Sequence, residues 1–191
     1  MSVRKHWSAA RRVSASHADG FTLFELMLAI AVIAVIAGFA VPSFVDIVRS
    51  NRIVTDNNEI VSALALARSE AIKSGVRTTM CRSADQATCA GSGGWEQGWI
   101  VFSDPANPGV VDAGEIVIRV WGPLQGGSTV RSSGAFNAYL SFVGTGETLG
   151  DTANVGDFRV CGKTGDIEEG RTINVGFFGS AATTKGVSAC P

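Results

Sequence analysis

The feature that most limits what this chain can fold into is the run from residue 21 to residue 45, 25 positions whose only charged side chain is Glu25. Within it, residues 26–41 carry no polar side chain at all. A helix needs roughly 20 mostly apolar residues to cross a bilayer, so this segment is long enough to span one. Before it stand Arg4, Lys5, Arg11 and Arg12 against Asp19, and the stretch immediately after it is poorer in basic residues. The positive-inside bias then places the N-terminus in the cytoplasm and the bulk of the chain outside. A secretory signal shows a shorter apolar core followed by small residues at a cleavage site. Here the polar boundary His17-Ala18-Asp19-Gly20 comes before the apolar run.

Glu25 is the informative residue of the segment. A charge at mid-membrane costs about 3 kcal/mol, so a carboxylate inside an apolar run points to a function. The plainer reading is a side chain at the helix entrance, where the helix dipole favours an acid.

The flanking residues bear on that choice. Gly20-Phe21-Thr22-Leu23-Phe24-Glu25-Leu26-Met27 resembles the type III signal of type IV pilins and pseudopilins. The resemblance implies that prepilin peptidase cuts between Gly20 and Phe21, methylates the new amino terminus on Phe21, and leaves the apolar segment on the mature protein. It also implies that Glu25 neutralises the terminal amine of a neighbouring subunit in a filament. The chemistry is consistent, because a buried amine and a buried carboxylate are each costly alone and only a correctly staggered neighbour relieves both.

Pro42 interrupts the apolar run and is expected to bend the helix rather than end it, since helical patterning resumes at once. Beyond it Ile53, Ile60, Leu64, Ala67 and Ala71 mark one face of an amphipathic helix, with Arg49, Arg52, Asp56, Glu59 and Glu70 assigned to other faces. Gly75 is placed as a helix stop. A helix from Phe21 to about Ser74 would be a rod roughly 80 Å long. After Gly75 the sequence turns to short β-rich runs at 76–81, 99–103, 115–121, 138–143, 157–161 and 171–177, with Gly-rich loops at 91–94 and 144–150. The fold class expected is α+β: a long N-terminal helix, its first half apolar, packed through its second half on a mainly antiparallel sheet. The divisions are a leader over 1–20, a membrane or filament-core helix over 21–45, an amphipathic continuation over 46–75, and a β-rich head over 76–191.

Within the head, Leu64-Ala65-Leu66-Ala67-Arg68-Ser69-Glu70-Ala71-Ile72-Lys73, then Gly98-Trp99-Ile100-Val101-Phe102-Ser103-Asp104, then Phe158-Arg159-Val160-Cys161 and Arg171-Thr172-Ile173-Asn174-Val175 resemble the GspH/FimT family of minor pilins and minor pseudopilins. That resemblance implies a subunit anchored in the inner membrane with its head in the periplasm, later incorporated into a pilus at the cell surface. Its implied partners are prepilin peptidase, other minor and major pilins, and the inner-membrane assembly platform. Taken by themselves, Arg68 and Glu70 read as a solvated helix face with local ion pairs.

Cys81, Cys89, Cys161 and Cys190 lie in a head expected outside the cytoplasm, where oxidation is favoured. Three pairings are possible. Local spacing favours Cys81–Cys89 and Cys161–Cys190, contributing about 2.5 and about 3.5 kcal/mol by loop entropy. The rival is a zinc site of four cysteines, which the absence of any C-x-x-C spacing disfavours. Asp104, Asn107, Asp112 and Glu115 make an oxygen-rich loop without the ligand alternation of an EF-hand, and a solvated loop is the expectation.

No catalytic constellation is legible, and neither a cofactor nor a metal is expected. Both histidines, His6 and His17, precede the cleavage point, so the mature chain has no imidazole base. No phosphate-binding loop or nucleophile elbow is present. Trp95, Trp99 and Trp121 read as core or rim aromatics. The leading function is a minor type IV pilin near the pilus tip that helps to initiate assembly; a minor pseudopilin of type II secretion is the alternative. A DNA-binding minor pilin is a third, and phosphate contacts would need basic residues. Residues 157–191 hold Arg159, Lys163, Arg171 and Lys185 against four acids, and Phe178-Gly179-Ser180 lacks an arginine after its glycine, so the sequence disfavours DNA binding.

Overall fold

The computed structural model describes residues 20–190, apart from the side chains of residues 39–43. The basic leader before Gly20, with His6 and His17, falls outside the described residues, whereas the helix continues through Pro42 as expected. The chain divides into two compact units between Ser43 and Phe44. One helix, α1, runs over Leu23–Ser74.

In the first unit α1 is apolar on every side and exposed throughout its described length, from Leu23 to Ile36 and beyond. Among the described residues no helix is long and apolar enough to cross a membrane.

The second unit pairs the rest of α1 with nine strands found among the described residues. These are β1 Thr78–Arg82, β2 Trp99–Ser103, β3 Val117–Trp121, β4 Thr129–Ser132, β5 Tyr139–Phe142, β6 Thr148–Gly150, β7 Gly156–Cys161, β8 Arg171–Val175 and β9 Ala181–Lys185. They form two antiparallel sheets rather than the single sheet expected from the sequence, ordered β3-β2-β1-β5-β6 and β4-β7-β8-β9. The stretch 144–150 is not wholly loop, because Thr148–Gly150 pairs with Leu140–Phe142. Residues 176–177 fall outside β8, where a tight turn joins it to β9.

The helix face read from the sequence is the one that packs. Ile53, Ile60, Leu64, Ala67 and Ala71 are all buried, and they meet Trp99, Trp121, Phe142 and Phe158 from the two sheets and Trp95 and Phe136 from connecting segments in one core. The aromatics interlock: Trp95 meets Phe158 edge-on at 5.1 Å, Phe136 stacks on Phe158 at 5.6 Å, and the Trp95 indole donates to the Phe136 carbonyl at 3.2 Å. A second cluster of Cys81, Ile100 and Phe102 lies on the far face of the five-stranded sheet, under Cys89, Val111, Val117 and Tyr139. The central strand β1 is therefore buried on both faces. At Gly75 the backbone turns left-handed (φ 69°) and its N–H caps the Ala71 carbonyl, ending α1 as expected.

Asp56 departs from the expectation. Assigned to an outer face, it is 6% exposed. Its place is physically plain, because it stands three residues after Ile53 and four before Ile60 and so shares their face.

Candidate functional site

The N-terminal end of α1 gathers three of the residues singled out in the sequence. Gly20 is exposed, and a side chain there would meet nothing within 4 Å among the described residues. Nothing in the described fold demands glycine at this point. Phe21, next in line, is 91% exposed.

Thr22 and Glu25 then close the helix entrance. The first turn of any helix leaves backbone N–H groups without intrahelical acceptors. Here the Thr22 hydroxyl accepts from the Glu25 N–H at 3.2 Å, while Glu25 Oε2 accepts from the Thr22 N–H and the Thr22 hydroxyl, both at 2.8 Å. This reciprocal arrangement is a capping box. Glu25 thus has a partner within its own chain, a role the sequence reading passed over although the Thr-x-x-Glu spacing was visible. A carboxylate on a fixed rotamer at the head of an apolar helix remains a negative charge one turn from Phe21.

Beyond this entrance the described apolar side chains of the first unit have no cover from the protein. A helix hydrophobic all round requires an apolar environment, lipid or other helices. The site therefore combines an exposed glycine and phenylalanine, a carboxylate bonded to Thr22, and an uncovered apolar helix.

The four cysteines are placed in the head as two disulfides. Cys81 pairs with Cys89 across 5.6 Å between Cα atoms, and Cys161 with Cys190 across 5.9 Å. The first closes a loop that is otherwise organised by polar contacts. Arg82 donates to the carbonyls of Ala90, Gly91 and Gly93. Asp85 accepts from the Thr88 hydroxyl, the Thr88 and Ala87 N–H groups, and Ser83, which hold its carboxyl well below the usual carboxylate range. The second disulfide ties the C-terminal segment to the end of β7, where Gly186 and Val187 also donate to the carbonyls of Gly170 and Ile167.

The oxygen-rich loop is largely exposed over 105–108 and 113–114, as expected, and Asp104 is the exception. Asp104 is fully buried, paired with Arg77 at 2.9 Å and accepting from the Thr79 hydroxyl and the Gly109 N–H. Asp112 and Glu115 accept from Asn107 and from the Asp112 N–H. The carboxylates thus serve as loop braces, and among the described residues no group of three His, Cys, Asp or Glu side chains converges as a metal site. Glu70 pairs with Lys73 at 3.6 Å, whereas Arg68 reaches the Gly146 carbonyl. Trp95, Trp99 and Trp121 are buried in the core.

A family model described as "Type II transport protein GspH" matches residues 56–179. One described as "Prokaryotic N-terminal methylation motif" matches residues 16–41, which contain the helix entrance. Two crystal structures of the type IV minor pilin FimU from Pseudomonas aeruginosa strain PAO1 share the fold. One aligns with a TM-score of 0.52 and 21% identity over 70% of this chain and 96% of its own. The other gives 0.51 and 22% over 72% and 99%. None of the curated proteins matches the chain.

Proposed function

Because this chain belongs to the GspH family, we propose that it is a minor type IV pilin that enters a pilus near the tip and helps to initiate its assembly. The observation that carries this is the methylation motif set on the entrance of an uncovered apolar helix. In this reading prepilin peptidase removes residues 1–20, methylates Phe21, and leaves residues 21–45 as a single span of the inner membrane with the head in the periplasm. The same helix later packs among other minor and major pilins, delivered by the inner-membrane platform. Residues 46–75 continue it into the head of residues 76–191, which the two disulfides harden for life outside the cell.

Glu25 acts twice in this sequence of events. In the precursor it caps the helix through Thr22. In the filament its charge answers the terminal amine on a neighbour's Phe21, and the cost of leaving either group unpaired in an apolar medium enforces the stagger between subunits. No step requires catalysis by this chain.

The family description itself favours one second reading, a minor pseudopilin of type II secretion. Deleting the gene separates the two. Loss or shortening of surface pili with secretion intact supports the pilin; normal pili with secretion abolished supports the pseudopilin.

A further inference from the structure

We infer that the groove between the middle of α1 and the β8–β9 turn receives an extended apolar segment of a neighbouring pilin subunit bearing one carboxylate, which pairs with Arg68. The inference rests on the reading of the chain as a pilin.

The groove has a volume of about 660 Å³. One wall is α1, and the other is Gly179, Ser180 and Ala181. The α1 wall is a second stripe, formed by Val61, Ala65, Ser69 and Ile72 at steps of four, four and three. The first stripe of the helix, on Ile60, Leu64, Ala67 and Ala71, is spent on the core. The second is left uncovered: Ala65 and Ser69 are exposed and Ile72 is 51% exposed. Small side chains at its centre let another backbone approach closely.

The charge of the groove is one-sided. Arg68 and Lys73 line it, and no acid does. Lys73 is already paired with Glu70. Arg68 donates through Nε to the Gly146 carbonyl at 3.3 Å, and among the described residues it makes no ion pair. The β8–β9 turn is pressed onto it. Gly179 is left-handed (φ 72°), and a Cβ there would stand 2.5 Å from the Gly146 carbonyl oxygen and 2.7 Å from Arg68 Nε. Glycine at 179 therefore holds the guanidinium in place while its terminal nitrogens keep donors free for a planar, bidentate acceptor.

An extended occupant follows from β9. It is an outer strand of its sheet, all five of its residues are exposed, and Ala181, where it begins, lines the groove. An unpaired edge offers backbone groups to an added strand, with the flanking pocket choosing the side chains.

The test uses the full chain in detergent micelles and two blocked, fluorescently labelled heptapeptides of alternating valine and threonine, one with a central glutamate and one with glutamine. Fluorescence anisotropy should show the glutamate peptide binding about tenfold more tightly, as a charge-assisted bond requires. Arg68→Gln should erase the preference and Arg68→Lys should keep part of it. Ser69→Trp, at an exposed position, should block both peptides while the circular dichroism spectrum stays unchanged. Equal affinities, a preference that survives Arg68→Gln, or no binding at millimolar peptide would overturn the proposal. No filament enters the assay, so its failure leaves the pilin reading standing. Failure of that reading is seen separately, as absence of the chain from sheared filaments, and would remove the occupant named here.

Discussion

Thr22 and Glu25 are bonded to each other in both directions, hydroxyl to amide and carboxylate to amide, so one acidic residue both finishes the helix entrance and sets a charge beside Phe21. These two roles are separable by substitution. Gln at the third helical position still serves a capping box, so Glu25→Gln keeps the cap and loses the charge. Thr22→Ala keeps the charge and loses about 1 kcal/mol of capping. The expected outcome is that Glu25→Gln is inserted and processed yet scarcely found in sheared filaments, whereas Thr22→Ala is incorporated at close to the normal level. Immunoblots of membrane and filament fractions make the comparison. If both variants assemble alike, the charge has no part in assembly.

The two disulfides should differ in weight. The loop closed by Cys161–Cys190 spans 29 residues of separation against 8 for Cys81–Cys89. Removing the pair Cys161/Cys190 as serines should cost about 3.5 kcal/mol and removing Cys81/Cys89 about 2.5 kcal/mol. Chemical denaturation of the two double variants under oxidising conditions checks the order.

Much of the fold is legible in the amino-acid sequence. The step pattern from Ile53 to Ala71 identified the packing face because each of those five apolar positions buries its side chain in the core. The strands that the sequence reading missed share a reason. β4 reads Thr-Val-Arg-Ser, β6 has three residues, and β9 reads Ala-Ala-Thr-Thr-Lys with every residue exposed. None of them carries the alternation that marks a half-buried strand, and their pairing is imposed by β5, β7 and β8. Two sheets instead of one is likewise a matter of long-range pairing, which local pattern does not encode. Asp56 is different: its spacing from Ile53 and Ile60 announced the core face, and the residue type concealed it.

Asp56 should make the head respond to pH. Burial pushes its carboxyl up, against a hydrogen bond from Ser128 and the nearby Arg52 charge, and Oδ2 has no partner. An acid whose folded pKa is raised stabilises the fold below its unfolded value, and that contribution is lost as pH rises through the folded value. At neutral pH the charged form is therefore a burden. Asp56→Asn should stabilise the protein by about 1 kcal/mol at pH 7, with the gain vanishing below about pH 4, where the wild-type carboxyl is also neutral. Thermal denaturation of both proteins across this range reads the difference. A gain that persists in acid would assign the effect to something other than charge.

Asp104 and Arg77 form the reverse case, a buried carboxylate that is fully engaged. Asp104→Ala strands the guanidinium and the Thr79 hydroxyl, and should cost about 3 kcal/mol. Arg77→Ala, which leaves the more deeply buried charge behind, should cost at least as much. Denaturant titrations of the two single variants and the double variant give the coupling directly, with a double variant less damaged than the sum as the expected result.

The central claim is that this chain is cut after Gly20 and works as a filament subunit beginning at Phe21. Gly20 has open space around it among the described residues, so Gly20→Val should leave the fold untouched and block processing. The most direct measurement is the intact mass and N-terminal fragmentation of the protein recovered from sheared filaments, for wild type and Gly20→Val. The account predicts a wild-type chain in the filaments that starts at N-methylated Phe21, and a Gly20→Val chain that keeps its leader and stays in the membrane. A filament-borne chain that still carries residues 1–20, or an unmethylated terminus elsewhere, would contradict it.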